Sequence, residues 1–458
     1  MTAVETTQSA QAAAAFEPKI VAFVCKWCTY AGADLAGTSR MVYAPNVRPL
    51  MLPCTGRIDI AFPLRAFLQG ADGVLISGCH PGDCHYTAGN FRARRRWALL
   101  RDLLDALGFD LRRLEMAWIS AAEGNKWVRT VENFTARIRS LGPYESLRRV
   151  AGDRAPRPVP EAGSPPMTAA AAVGAGEVPA ADPAMISAIA SAFENGKIKA
   201  AIGWIQNWTV CRPRPTWVTS AAEAAKFVSP RGQACNLARF LKNAAVRSLL
   251  PVGIVARRSE VAAINVLRQE KQIEPQSLVI FLVDDDGRFL GAMDPDAAWK
   301  TVAAAEQGRP SDDRPVPFDA SVYEALDALM RKAPEERWAF WVEQFSRCIR
   351  CYACRGSCPM CNCEQCFAER NQPQWFPTAA DGPGNLAWHI VRAFHLAGRC
   401  IGCGACQAAC PAGIPINILG AAMARSAFRN FGHVAGADPS AVPLQADYRP
   451  QDRDDFIV

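Results

Sequence analysis

Long apolar runs are missing from this 458-residue chain. No stretch reaches about 18 consecutive apolar residues, so no membrane-spanning helix is expected. The opening MTAVETTQSAQAAAAFEPK has neither a basic start nor a long apolar core, which argues against a secretory signal. Residues 1–17 are expected to be a disordered leader. No G-x-G-x-x-G follows a strand, which removes the usual dinucleotide fingerprint. No set of residues resembles a hydrolytic or group-transfer site. Nothing resembles a nucleic-acid recognition motif, and the net charge of +7 is modest. Cysteine, by contrast, is abundant, with 18 in the chain. Without an export signal, disulfides account for them poorly and metal or redox chemistry accounts for them well. The expected setting is cytoplasmic.

Eight of the cysteines form two copies of one pattern. Cys348, Cys351, Cys354 and Cys358-Pro359 lie in CIRCYACRGSCP, and Cys400, Cys403, Cys406 and Cys410-Pro411 in CIGCGACQAACP. Both read C-x2-C-x2-C-x3-C-P, the bacterial run for [4Fe–4S] clusters, in which the fourth cysteine serves the other cluster. The expected sets are Cys348, Cys351, Cys354 and Cys410 on one cluster, and Cys400, Cys403, Cys406 and Cys358 on the second. Zinc also uses C-x2-C pairs but rarely needs two identical Pro-terminated runs. Gly402 and Gly404 supply backbone freedom around the second cluster. Three further cysteines, Cys361, Cys363 and Cys366, follow in MCNCEQCF. They admit two readings: a third [4Fe–4S] cluster with a fourth thiol such as Cys235, or a loop that shields the other clusters.

The length suggests about three domains. In residues 18–142 the segments KIVAFVC, VRPLMLPC, GVLISGC and EMAWIS read as buried strands separated by helical stretches. That alternation implies a parallel α/β sheet. Cys25, Cys54 and Cys79 close three strands, and Cys28 and Cys84 follow in the adjoining loops. The carboxyl ends of parallel strands share one edge, where ligands bind, so topology gathers five thiols. Four suffice for a [2Fe–2S] cluster. Nearby Arg92, Arg94, Arg95, Arg96 and Arg101 read as a solvated helix face opposite a leucine stripe, or as a docking surface for an acidic partner.

The phrases CKWCTYAGAD, NVRPLMLPCTGRID, AFLQGADGVLISGCHPGDCHYTAGN and SAAEGNKW closely resemble the delta subunit of methyl-viologen-reducing hydrogenase, with all five cysteines in order. The resemblance implies a [2Fe–2S] domain. It also implies a role between a hydrogenase or formate dehydrogenase and a flavoprotein of the heterodisulfide reductase A type.

Residues 143–195 are rich in Pro, Ala and Gly and read as a linker. Residues 196–335 return to α/β texture, with strands in KAAIGWI, LLPVGIVA and SLVIFLVDD and a helix in EVAAINVLRQEKQ. Their order resembles the beta-subunit family of coenzyme F420 hydrogenases and dehydrogenases. Cysteines expected after two of those strands are replaced by Arg257-Arg258 and Asp284-Asp285-Asp286, leaving only Cys211 and Cys235. The domain is therefore expected to have lost its metal site, with FAD doubtful. Residues 336–430 form the mainly helical two-cluster domain, led by PEERWAFWVEQFSR, whose aromatics are core contacts. Residues 431–458 have the composition of an extended tail.

The chain therefore reads as an electron-transfer subunit with obligatory partners: a hydrogenase or formate dehydrogenase type of catalytic subunit, and a heterodisulfide reductase A-like flavoprotein. The alternatives are a flavin-dependent reductase with FAD in the middle domain, or a redox-sensing scaffold.

Overall fold

The computed structural model describes residues 16–155, 179–207, 212–306, 315 and 318–458. Cys211, most of the expected leader and the middle of the expected linker lie outside them. The first sheet comprises β1 (Ile20–Cys25), β2 (Val47–Leu52), β3 (Gly73–Gly78) and β4 (Leu114–Trp118), all parallel in the order β2-β1-β3-β4. Interleaved are α1 (Thr29–Thr38), α2 (Ala61–Leu68), α3 (Gly89–Ala106) and α4 (Gly124–Leu141). Successive strand residues point to opposite faces. Ile20, Ala22, Val24, Leu75 and Ala117 pack under Trp127, Val131 and Phe134 of α4. Phe23, Val74, Ile76 and Met116 face Leu64, Phe67 and Trp97 on the other side. With both faces covered, the inner strands are almost wholly apolar. The second strand departs from the expected burial: Leu50 and Met51 are exposed, because β2 is an edge strand with a single neighbour.

The expected linker is structured at both ends. Helix α5 (Glu145–Gly152) packs Leu147 and Val150 into the first core, and Arg148 pairs with buried Asp72 at 2.8 Å. Helix α6 (Pro183–Glu194) belongs to the middle domain, through Met185 and Ile189. Its capping residue is Asp182, with proline at the first helical position. The middle sheet runs β6-β5-β7-β8-β9, from β5 (Ala200–Asn207), β6 (Arg212–Val218), β7 (Val252–Ala256), β8 (Leu278–Val283) and β9 (Phe289–Met293). Strands β5, β7 and β8 are parallel, and the two edge strands are antiparallel. Short helices α7 (Ala221–Ala224) and α8 (Ala244–Arg247), then α9 (Arg258–Gln269) and α10 (Pro295–Glu306), complete this domain.

The C-terminal region holds α11 (Ala320–Met330), α12 (Pro334–Ser346), α13 (Ala353–Ser357), α14 (Gly382–His395), α15 (Ala405–Ala408) and α16 (Ile416–Phe431). Helix α11 lies inside the expected middle-domain boundary, yet its Tyr323, Leu326 and Leu329 join the C-terminal core. That core also contains Trp338, Trp341 and Phe345, as expected, and runs without a break into the α2–α3 face of the first domain. Trp341 Nε1 donates to Ala106 O at 3.1 Å, and Arg337 reaches Asp105 at 2.8 Å. The middle domain packs on the same region through Met360, Leu396 and Ile401.

Two expectations fail together at the end of the chain. The tail has almost no regular structure but is not free: Val458 exchanges backbone hydrogen bonds with Met116 and Trp118 of β4. The arginines of α3 are not all solvated either. Arg94 and Arg95 are each 2% exposed. Arg94 donates to Arg449 O and Pro450 O, and Arg95 pairs with Asp452 and Asp447. Removing one partner of such a buried pair typically costs about 3–5 kcal/mol, so the charge run straps the tail in place. No described helix is long and apolar enough to cross a membrane.

Candidate metal centres

Strand order creates the first site. β1 and β3 are neighbours although β2 lies between them in sequence, so the chain reverses direction across the sheet there. Such a switch point is where open α/β sheets bind ligands. Cys25 ends β1 and Cys79 follows β3, and their Sγ atoms lie 3.6 Å apart. Cys54 and Cys84, from the loops after β2 and β3, form a second pair at 3.7 Å. Two thiolates on one tetrahedral metal, each about 2.3 Å from it, stand about 3.8 Å apart. The site is thus two pairs, each spaced for one ion. Cys28 adjoins Cys25, Cys79 and Cys84 as a fifth thiol.

Close backbone approach shapes this site. A Cβ on Gly89 would lie 2.3 Å from Cys54 Sγ and 3.2 Å from Cys84 Sγ. Gly56 N–H donates to Cys54 Sγ at 3.3 Å. Burial pushes Cys54 up to about 11. Cys25 and Cys79 share a proton: the Cys79 hydrogen bond draws Cys25 down to about 6, and Cys79 moves up. His80 is engaged by Glu123 at 2.7 Å, and His85 stacks on Trp27 with ring centroids 3.8 Å apart. Trp27, Tyr30 and Tyr86 form an exposed aromatic rim.

The two ferredoxin-type runs converge as their spacing implies. Cys348 adjoins Cys351 and Cys410. Cys354 adjoins Cys348 and Cys410, and faces Cys406 across the gap between the sets. Cys358 sits among Cys400, Cys403 and Cys406. Each run needs left-handed backbone at its third and fifth positions. The second run meets this with Gly402 and Gly404, at φ 74° and 75°. The first uses Arg350 and Tyr352, at φ 57° and 60°, a conformation that ordinary side chains tolerate only when held. Here they are held: the Arg350 guanidinium lies over Tyr352 and Trp388 and donates to Gly384 O and Ala368 O.

The two sets differ in cover. Cys351 is exposed. The second set lies under the middle domain, where Lys242 Nζ bonds Pro359 O at 2.6 Å. Cavities of about 420 and 450 Å³ reach Cys358 and Cys403 respectively. Burial pushes Cys400 up to about 12 and Cys354 up to about 11.

The three extra cysteines divide. Cys361 adjoins Cys358. Cys366 adjoins Cys363, which is exposed. Cys235 neighbours Arg239, Glu260 and Arg257 in the middle domain. Arg257, standing where a relative's cysteine was expected, donates to Pro230 O, Gln233 O and Cys235 O and pairs with Glu260. It fixes the loop beside Cys403.

Among the described residues, no three His, Cys, Asp or Glu side chains converge on one ion-sized position. That fits polynuclear clusters, which place at most two protein thiolates on each iron of a [2Fe–2S] centre and one on each iron of a cubane. Cluster ligands must be thiolates, so loading these mostly raised thiols releases protons.

Sequence reasoning missed three supporting groups. Arg392 of α14 is buried against the thiols of both sets; its signal was a charge in an otherwise apolar helix. His395 bonds Asp59 at 2.9 Å, joining the loop after Cys54 to the helix before Cys400. His389 is 3% exposed and stacks on Phe345 at 4.5 Å.

Residues 20–142 match the family model "Methyl-viologen-reducing hydrogenase, delta subunit", and residues 340–411 match a 4Fe-4S dicluster domain. The chain is 52% identical over 128 residues to the iron-sulfur D subunit of the vhc F420-non-reducing hydrogenase of Methanococcus voltae, covering 28% of this chain and 89% of that one. It is 47% identical over 133 residues to the iron-sulfur D subunit of the F420-non-reducing hydrogenase of Archaeoglobus profundus, covering 29% and 97%. A third relative is the A subunit of the ferredoxin/F420H2-dependent CoB-CoM heterodisulfide reductase of Methanosarcina acetivorans. It is 44% identical over 129 residues, 28% of this chain and 16% of that protein.

Proposed function

The chain belongs, through residues 20–142, to the family of the methyl-viologen-reducing hydrogenase delta subunit, and from that premise we propose that it is an iron–sulfur relay between a hydrogenase- or formate dehydrogenase-type subunit and a heterodisulfide reductase A-like flavoprotein. The carrying observation is the pairing of thiols at the sheet edge, 3.6 Å for Cys25/Cys79 and 3.7 Å for Cys54/Cys84. In this reading each pair holds one iron of a [2Fe–2S] cluster and Cys28 is left over. Cys348, Cys351, Cys354 and Cys410 hold one [4Fe–4S] cluster; Cys400, Cys403, Cys406 and Cys358 hold the other. Such clusters supply one-electron transfer, at potentials set by their charge, burial and hydrogen bonds. The protein's part is to join the domains that hold them through one continuous core and to leave the aromatic rim and Cys351 open to partners.

Anaerobic capture of the full chain from its native cells, followed by mass spectrometry, tests the partners. Recovery of a dehydrogenase subunit and a flavoprotein of the reductase A type is expected, and capture of neither would overturn the assignment. Iron analysis tests the loading: about ten irons per chain fit one [2Fe–2S] and two [4Fe–4S] clusters, whereas about fourteen require the third cluster.

A second reading, a flavin-dependent reductase, draws on the 420 Å³ cavity beside Cys358, where Arg239 and Lys242 accompany Phe240 and Tyr352. Release of FAD on denaturation would favour it. Intact clusters with no released flavin leave the relay.

A further inference from the structure

A single buried cation touches both ferredoxin-type sites. Arg392 lies on the last turn of α14, 6% exposed, and its Nη2 donates to Cys354 O at 3.0 Å. The thiols of Cys406, Cys358, Cys361 and Cys354 all neighbour the same guanidinium. Its Nε is buried with no partner. Cys354 belongs to the first set, Cys406 and Cys358 to the second, and Cys361 adjoins Cys358. Arg350 is directed to Gly384 O and Ala368 O beside the first set, and Lys242 and Arg257 stand beside the second set alone.

An isolated buried charge is costly unless compensated. Neutral thiols compensate a guanidinium poorly and cluster thiolates do so well. The geometry points to Arg392 as a positioning residue that raises the reduction potentials of both [4Fe–4S] centres, more strongly at the Cys400–Cys406 centre than at the Cys348–Cys354 centre. The inference rests on the cluster reading above. Reduction adds negative charge to a cluster, and a fixed cation or an N–H···S bond stabilises the reduced form more than the oxidised one. Because Cys406, Cys358 and Cys361 beside the guanidinium belong to or adjoin the second set and only Cys354 belongs to the first, its removal acts unequally.

The test is an EPR-monitored redox titration of the full chain, reconstituted anaerobically, as wild type, Arg392→Gln and Arg392→Lys. Arg392→Gln should shift both midpoints to more negative values, with the larger shift in one of them. Arg392→Lys, which keeps the charge, should recover part of each shift. Unchanged midpoints in Arg392→Gln at wild-type iron content would overturn the inference, as would equal shifts in the two variants. A measurement on wild type alone guards against misfolded variants. With arginine carrying ¹⁵N in its guanidino group, the reduced chain should show ¹⁵N hyperfine coupling, and its absence also overturns the inference. A wild type that holds no [4Fe–4S] centre after reconstitution would remove the cluster reading itself, a result separable from unshifted midpoints.

Discussion

The sheet-edge site and the second ferredoxin-type site gather thiols by opposite means. At the sheet edge, cysteines as far apart as Cys25 and Cys84 meet because β1 and β3 are neighbours across a switch point. In the second site three of the four thiols lie within seven residues, Cys400 to Cys406, on one loop and the start of α15. The first site offers pairs and the second offers single thiols spread around a centre. The first has an open aromatic rim, while the second lies under the middle domain with Arg392 against it. Fold topology therefore assembles one set of thiols, and local spacing assembles the other.

Removing ligands is the strongest way to break the comparison. Cys403→Ser should cost about four irons and Cys79→Ser about two, each leaving the other site loaded. Cys28→Ser should cost none. Iron and sulfide assays with EPR of the reduced chain read all three. Loss of the [2Fe–2S] signal in Cys28→Ser, with retention in Cys79→Ser, would exchange the roles of these two thiols.

What could be read in advance follows the same division. The ferredoxin sets were legible because their spacing is local, and the sheet-edge set because hydrophobic runs ending in cysteine imply parallel strands. Arg94 and Arg95 were not, because an arginine run looks the same whether it meets water or a returning tail; only the distant Asp447 and Asp452 decide. Nor were the domain limits. Helices α6 and α11 are amphipathic segments whose partners lie in another part of the chain. Arg392 escaped for the same reason, since its partners come from two separate runs.

Glycines next to thiols sharpen the contrast. Gly89→Ala would place a Cβ 2.3 Å from Cys54 Sγ, with Cys84 Sγ at 3.2 Å. Sulfur and backbone cannot both stay, so several-fold loss of the [2Fe–2S] signal is expected. Gly420→Ala meets Cys400 Sγ at 3.2 Å and the Phe318 ring at 3.1 Å, a crowding that a few tenths of an ångström would relieve. Its [4Fe–4S] content should fall little, with stability reduced by about 1 kcal/mol. Equal losses at the two positions would show that the sheet edge is no tighter than the ferredoxin loop.

Acid should also separate the regions. Burial, then Arg392 and Arg350, lowers His389 from 6.5 to about 3. Between those values the unfolded chain binds a proton that the folded chain refuses. The stability tied to this group is therefore complete above pH 6.5 and lost as pH falls toward 3, by about 1.4 kcal/mol per pH unit at most. In the first domain Glu123 is lowered to about 2, first by the Ser120 N–H bond; its contribution is intact above pH 4.5 and, being partly exposed, is small. From pH 6.5 to 4.5 only the C-terminal region should weaken through these groups. His389→Phe keeps the stack on Phe345 and removes a buried nitrogen that has no partner. It should raise the thermal midpoint at pH 7 and flatten its fall toward pH 4.5, whereas parallel curves for wild type and variant would place the acid sensitivity elsewhere. Cluster charge near the ring favours its protonated form, so the pH at which the two curves diverge reads the field that Arg392 and the clusters jointly set at α14.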